Sequence, residues 1–253
     1  MPEPSDDYAA DDAADDAGDY AADDAGKNGI VFGASSLLGK WIASALAQRG
    51  VNLCLLDLER HSDDGLGNAV RGPGSDGKVI HKTVASGDED GFETALAQAA
   101  DALGRLDYLL CMHYLEELAE MLDSDDLSLD SWDHLLQDWV MNTFLVARAA
   151  FPYMTREGRG RVVFFNTTTG YTGEGQGEGD VTVEGSIHEC ACSSAITGVM
   201  TSIARDIIPL GIAVNGIALG PHYADDMDRV IWATDFWLSG VCDYACGQIL
   251  RLY

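Results

Sequence analysis

Residues 32–39 read Phe32-Gly33-Ala34-Ser35-Ser36-Leu37-Leu38-Gly39 and stand between an apolar run and an amphipathic one. A strand, a tight glycine turn and a helix N-terminus in that order form a cradle for phosphate, because the free amides and dipole of the first helical turn attract anions. Leu37 occupies the position where glycine would let the backbone approach a pyrophosphate, and its side chain is expected to fill that space. A second constellation is His113, Thr167 and Glu189. His113 beside Thr167 would suit a base in a non-redox lyase or hydrolase, and a glutamate carries protons when burial raises its pKa. The alternative for His113 is a structural histidine with its hydrogen bonds satisfied. His188, Glu189, Cys190 and Cys192 are all zinc-ligand types, yet their spacing matches no standard zinc motif and a helix would send them in different directions. No metal site is expected. Cys242 and Cys246, four apart, read as a packed helical face.

The elements that position these residues follow from the alternation of apolar runs and amphipathic stretches from residue 29 onward. Such alternation marks repeated strand–helix crossovers and a parallel sheet. The pattern predicts strands near Gly29–Phe32, Val51–Asp57, Val79–Thr83, Leu106–Met112, Arg161–Asn166, Ile212–Ile217 and Gln248–Leu252. It predicts helices over Leu38–Gln48, Phe92–Leu103, Ser131–Met154 and Ser193–Ile208. The expected fold class is α/β: a Rossmann-like, doubly wound, mainly seven-stranded parallel sheet with helices on both faces. Segments 62–77 and 170–185, rich in glycine and acids, read as surface loops, the second alternatively as a lid or partner-binding loop. The helix carrying Trp132, Leu135, Leu136, Trp139, Val140 and Phe144 is apolar on more than one face and must be covered by something.

Forty-two acidic against 15 basic residues give a formal charge of −27 over 253 residues, which repels nucleic acid and anionic membrane surfaces. Neither is expected as a partner. Residues 1–26 hold ten of the acids and no Lys or Arg, in a repeating Tyr/Ala/Asp pattern. They read as an acidic tail, either disordered or docking on a partner's basic patch. A net −17 remains on residues 27–253, which are long enough for one domain. The start shows no secretory pattern, no run is long enough to span a bilayer, and most of the six cysteines fall inside apolar elements. A reduced, cytoplasmic protein is expected.

Over residues 27–253 the order and spacing of the pieces resemble the short-chain dehydrogenase/reductase family. The resemblance is carried by Gly33 to Gly39, Asp57, Leu106-Asp107-Tyr108-Leu109-Leu110, Asn142, Gly160 to Thr167 and Ile212 to Pro221. It implies a nucleotide-binding fold, commonly tetrameric, that uses NAD(H) or NADP(H) to oxidise alcohols or reduce ketones. In the family's T-G-x-x-x-G-x-G, Gly33 and Gly39 match glycines while Phe32 and Leu37 depart. Asp57 falls where an acid holds the adenosine ribose of NAD, or is a strand-end acid facing water. No carboxylate stands near Thr83 and Val84, where the family's adenine-binding acid falls. Tyr114 places bulk where small residues of N-N-A-G leave room for the cofactor.

Thr167 matches the family's serine, but Glu189 and Ser193 stand at the tyrosine and lysine of Tyr-x-x-x-Lys. Asn142 matches an asparagine of the proton relay, or serves local helix geometry. The chain is therefore similar to the inactive subunits of heteromeric dehydrogenases, one of which acts on an acyl-CoA alcohol. The resemblance implies no cofactor on this chain, NAD in an active paralogous subunit, and a heterotetramer or other oligomer built on the long helices and the stretch Val230–Tyr253. The other readings are an enzyme of substituted chemistry and a homo-oligomeric small-ligand sensor.

Overall fold

The computed structural model describes residues 24–72, 77–112, 128–154, 160–171, 187–240 and 244–253. Seven strands, β1 Asn28–Phe32, β2 Asn52–Leu58, β3 Val79–Val84, β4 Tyr108–Cys111, β5 Arg161–Thr167, β6 Ala213–Leu219 and β7 Ile249–Leu252, form one sheet in the order β3-β2-β1-β4-β5-β6-β7. Every pairing is parallel. The central strands are buried along their length, as an unbroken apolar run demands when helices cover both faces of a sheet. The helices are α1 Leu37–Gln48, α2 Leu66–Val70, α3 Glu89–Leu103, α4 Leu129–Leu136, α5 Asn142–Met154, α6 Ile187–Ile207 and α7 Met227–Leu238. Side chains cap several of them: Ser36 accepts from Gly39 N, Asp88 from Gly91 N and Asp226 from Arg229 N.

Three expectations about the elements are corrected. The helix predicted over Ser131–Met154 is broken into α4, a π turn at Gln137–Met141 and α5, because the chain there takes wider i to i+5 bonds. The turn buries Trp139 and delivers Asn142 as the first residue of α5, while Met141 and Phe144 remain exposed. Helix α6 starts six residues before the predicted Ser193, bringing His188, Glu189 and Cys190 onto it. The segment read as a loop over 62–77 contains α2, whose Leu66 and Val70 join the core.

At the amino-terminal edge of the sheet the Tyr108 hydroxyl donates to Asp24 Oδ1 (2.6 Å), and Arg49 bridges Asp24 (3.2 Å) and Asp235 (3.0 and 2.5 Å). Burial and the neighbouring Asp24 raise the Tyr108 pKa, so the phenol stays a donor. The acidic segment is thus pinned at its last acid; residues 1–23 lie outside the described residues, as does the expectation for the loop at 170–185 beyond Tyr171. No helix among the described residues is long and apolar enough to cross a membrane.

Candidate active-site crevice

The connections leave β1 and β4 in opposite directions, so a crevice opens at the carboxyl ends of these adjacent strands. Gly33 follows β1 with φ of +81°, and a Cβ on it would lie 2.7 Å from the Met112 carbonyl oxygen at the end of β4. A Cβ on Gly39 would lie 2.2 Å from the Gly33 carbonyl oxygen. Both glycines are therefore required by the packing of the turn itself. Ser36 locks that turn, donating to Gly33 O (2.7 Å) and accepting from Gly39 N (2.9 Å). Leu37 follows this turn. It is the first residue of α1 and 43% exposed, and no described non-glycine residue has positive φ. Leucine there costs the backbone nothing and bears only on what can approach the loop.

Asp57, near the end of β2, is 0% exposed. Its Oδ1 accepts from both Ser35 N and Ser35 Oγ (2.9 Å each), and its Oδ2 lies 3.0 Å from His81 Nε2. The carboxylate is turned away from water, which corrects the reading of Asp57 as a strand-end acid facing water. The loops after β2 and β3 are then tied to the π turn. Arg60 pairs with Asp138 (2.5 Å), Ser86 Oγ donates to Asp138 Oδ1 (2.6 Å), and Asn142 Nδ2 donates to Ser86 Oγ (3.0 Å) while its Oδ1 accepts from Gly87 N (2.8 Å). Asn142 is thus a tertiary clamp between α5 and the β3 loop, besides its local bond to the Asp138 carbonyl (3.3 Å).

On the other side of the crevice, Ser193 on α6 is 0% exposed. Its hydroxyl meets Asn166 Oδ1 (2.7 Å) and the Thr167 carbonyl (2.9 Å), and accepts from Thr167 Oγ1 (3.3 Å). Asn166 Nδ2 returns bonds to Ser193 O (2.7 Å) and Thr197 Oγ1 (3.1 Å), and Thr167 Oγ1 lies 2.5 Å from Thr169 Oγ1. These partners are all neutral. Glu189 lies in the first turn of α6 and is half-buried. Beside it, burial lowers the pKa of His188 against the pull of Glu189, raises that of Cys190, and pushes the Cys192 thiol up to about 11. No group of three His, Cys, Asp or Glu among the described residues is placed to hold a metal. His113 and Tyr114 lie outside the described residues, and with them the bulk expected after β4 and the His113–Thr167 pairing.

Sheet order, crevice and glycine turn define a doubly wound nucleotide-fold protein of the oxidoreductase type. The family model for short chain dehydrogenases matches residues 27–234, and the chain belongs to that family. It is 28% identical over 195 residues to the oxidoreductase UcpA of Salmonella typhimurium, spanning 77% of this chain and 69% of the relative. It is 24% identical over 216 residues to the 3-oxoacyl-[acyl-carrier-protein] reductase FabG of Haemophilus influenzae, spanning 85% and 81%. Among solved structures, NAD+-bound xylitol dehydrogenase superposes with a TM-score of 0.77 at 18% identity, covering 91% of this chain and 98% of that one. Carveol dehydrogenase from Mycobacterium avium in complex with NAD gives 0.74 at 18% identity, covering 90% and 96%. At such identity these likenesses speak for the fold.

At the positions the family uses for a nicotinamide dinucleotide, several groups are already engaged within the protein. The carboxylate suited to the ribose is sealed under Ser35 and His81, and the amides of Ser35, Ser36 and Gly39 are bonded inside the loop. The position suited to an ammonium carries a buried neutral hydroxyl. Motif reading had found Asp57, Asn142, Thr167, Glu189 and Ser193, and had missed Ser35, His81, Arg60, Ser86 and Asp138. One signal for His81 was available: β2 and β3 run in parallel with Leu55 opposite His81, which puts His81 and Asp57 diagonally on one face.

Proposed function

We propose that this chain is a non-catalytic subunit of a heteromeric NAD-dependent alcohol or hydroxyacyl-CoA dehydrogenase, stabilising or regulating an active paralogous subunit that carries the cofactor. The observation that carries this reading is Ser193, fully buried and hydrogen-bonded to Asn166 and Thr167 at the place of the family's lysine, with Glu189 at that of the tyrosine. A hydroxyl in that network supplies no positive charge to lower the pKa of a proton donor or to hold a ribose. Asp57 adds independent support, since a sealed carboxylate offers nothing to a nucleotide. The exposed Met141 at the end of the π turn and Phe144 of α5, the latter under the Arg148 guanidinium at 5.7 Å, leave an apolar strip suited to a partner helix. The names of the relatives attach oxidoreductase activity to those proteins.

The test is twofold. NADH fluorescence titration of the purified chain is expected to show no micromolar binding, and co-expression with the paralogue encoded beside it is expected to yield one co-eluting complex that oxidises alcohols. Turnover by the isolated chain would replace the reading with an enzyme built on His113, Thr167 and Glu189. A stable homo-oligomer that binds a small ligand without turnover would replace it with a sensor.

A further inference from the structure

At the amino-terminal edge of the sheet, opposite the crevice, one guanidinium serves two carboxylates. Arg49 closes α1 and donates through Nη1 and Nη2 to both oxygens of Asp235 on α7 (3.0 and 2.5 Å) and through Nε to Asp24 Oδ2 (3.2 Å). All three side chains are 20% exposed or less. Asp24 Oδ1 also accepts from the hydroxyl of Tyr108, the first residue of the buried strand β4 (2.6 Å). Residues 24–27 form a short strap beside the turn between α1 and β2, where Lys27 N donates to Asp24 O and Gly26 N to Gly50 O (3.0 Å each). Two demands meet on this strap. The Tyr108 phenol requires Asp24, because a buried donor deprived of its acceptor is costly. Charge balance requires one carboxylate only, because Arg49 and Asp235 already make a bidentate ion pair and Asp24 adds a negative charge in a poorly hydrated place. Residues 1–23, which lead into Asp24, contain no Lys or Arg.

We propose that Asp24, Arg49 and Asp235 form a proton-operated latch, which tightens residues 24–27 onto α1 and α7 as the medium turns acidic and loosens them as it turns neutral. A single proton reconciles the two demands, since it removes the surplus charge while Asp24 stays under the Tyr108 hydroxyl. Burial, with the charge of Asp24 added to it, outweighs Arg49 and raises the Asp235 pKa above its ordinary 3.8, which marks Asp235 as the group that takes the proton. The folded chain then holds this proton more tightly than the unfolded chain. The stability it confers is therefore complete below about pH 3.8 and lost as pH rises through the higher folded value, the reverse of the sense expected for a paired carboxylate. The charges acting on Asp235 are those of Arg49 and Asp24, and those acting on Tyr108 are Asp24, Asp107 and Arg161, with Asp107 itself paired to Arg105 (2.9 Å). The latch lies at the far edge of the sheet from the crevice and is independent of whether the chain is catalytic.

The test uses the full-length protein. Carbon-13 NMR of its carboxyl groups, with Asp235 assigned through the backbone, should give a titration midpoint for Asp235 above 3.8. Hydrogen exchange at the Gly26 and Lys27 amides, corrected for the intrinsic rate at each pH, should show protection rising about threefold or more between about pH 7 and pH 4. In Asp235→Asn, where the charge is already balanced, that protection should not depend on pH. In urea unfolding, the ratio of the folding constant of the wild type to that of Asp235→Asn should rise by a similar factor over the same range. Asp24→Asn keeps an acceptor for Tyr108 and removes the surplus charge, so the same ratio measured in its background should lose most of that rise. An Asp235 midpoint at or below 3.8, amide protection that ignores pH in the wild type, or a rise undiminished in the Asp24→Asn background would overturn the proposal.

Discussion

In the half of the crevice bounded by β2 and β3 the polar groups meet as ions. In the half bounded by β5 and α6 they meet as neutral dipoles. Asp57, Arg60 and Asp138 bring formal charge to the first half, with His81 beside them, and each carboxylate oxygen named there has a donor. Asn166, Thr167, Thr169, Ser193 and Thr197 bond to one another in the second. The side-chain oxygens named in each half have hydrogen-bond partners. The halves differ in what disturbs them. A charged network responds to protons and salt, while a hydroxyl–amide network responds mainly to shape and to the arrival of a charge.

The largest break in that contrast comes from Ser193→Lys. An ammonium at a fully buried position among neutral partners should cost about 3–5 kcal/mol of folding stability, measured by urea unfolding. Unchanged stability would mean the neutral half accommodates a cation, and the two halves would no longer differ. Next is Asp57→Ala, which strands the part-buried Ser35 amide and leaves His81 without its Asp57 contact, at a cost of about 2–3 kcal/mol. Asp57→Asn, which keeps an acceptor for Ser35 and a donor for His81, should recover part of that loss. Arg60→Ala removes a cation that is 43% exposed, so the loss should be under about 1 kcal/mol and should shrink as salt is raised.

The pH profile gives the finest distinction. His188 is held below the ordinary imidazole value of 6.5 mainly by burial, and His61 by partial burial together with the Arg60 charge. A depressed histidine pKa means the unfolded chain takes up the proton first. The stability each confers is therefore complete above about pH 6.5 and lost as pH falls through the lower folded value. His188→Gln should flatten this loss at any ionic strength, whereas the share due to His61 should diminish with salt. Equal salt sensitivity of His188→Gln and His61→Gln, followed by thermal unfolding across pH, would erase the difference between the halves.

The sheet was legible because β1, β4 and β6 are continuous apolar runs between turn residues, and such runs can be buried on both faces only by a parallel sheet. The break at Gln137–Met141 was not, since the apolar spacing from Leu135 to Val146 continues through it. What fixes it is tertiary, the bonds from Asn142 to Ser86 and Gly87, 56 and 55 residues away in sequence. Within the crevice, the substitutions at Leu37, Glu189 and Ser193 could be seen residue by residue. The fate of Asp57 could not, because Ser35 and His81 become its neighbours only once β2 lies beside the glycine turn and β3. A motif records which residue type a ligand requires, whereas the exposure of Leu37 is set by the helix that begins there.

The near-contact between Gly39 and the Gly33 carbonyl separates two duties that one short signature normally combines. A saturation scan of the turn should tolerate many side chains at position 37 and almost none at 39, where even a methyl would force α1 off β1. Glycines of this kind are held by the architecture itself, because removing them damages the turn whether or not anything is bound there.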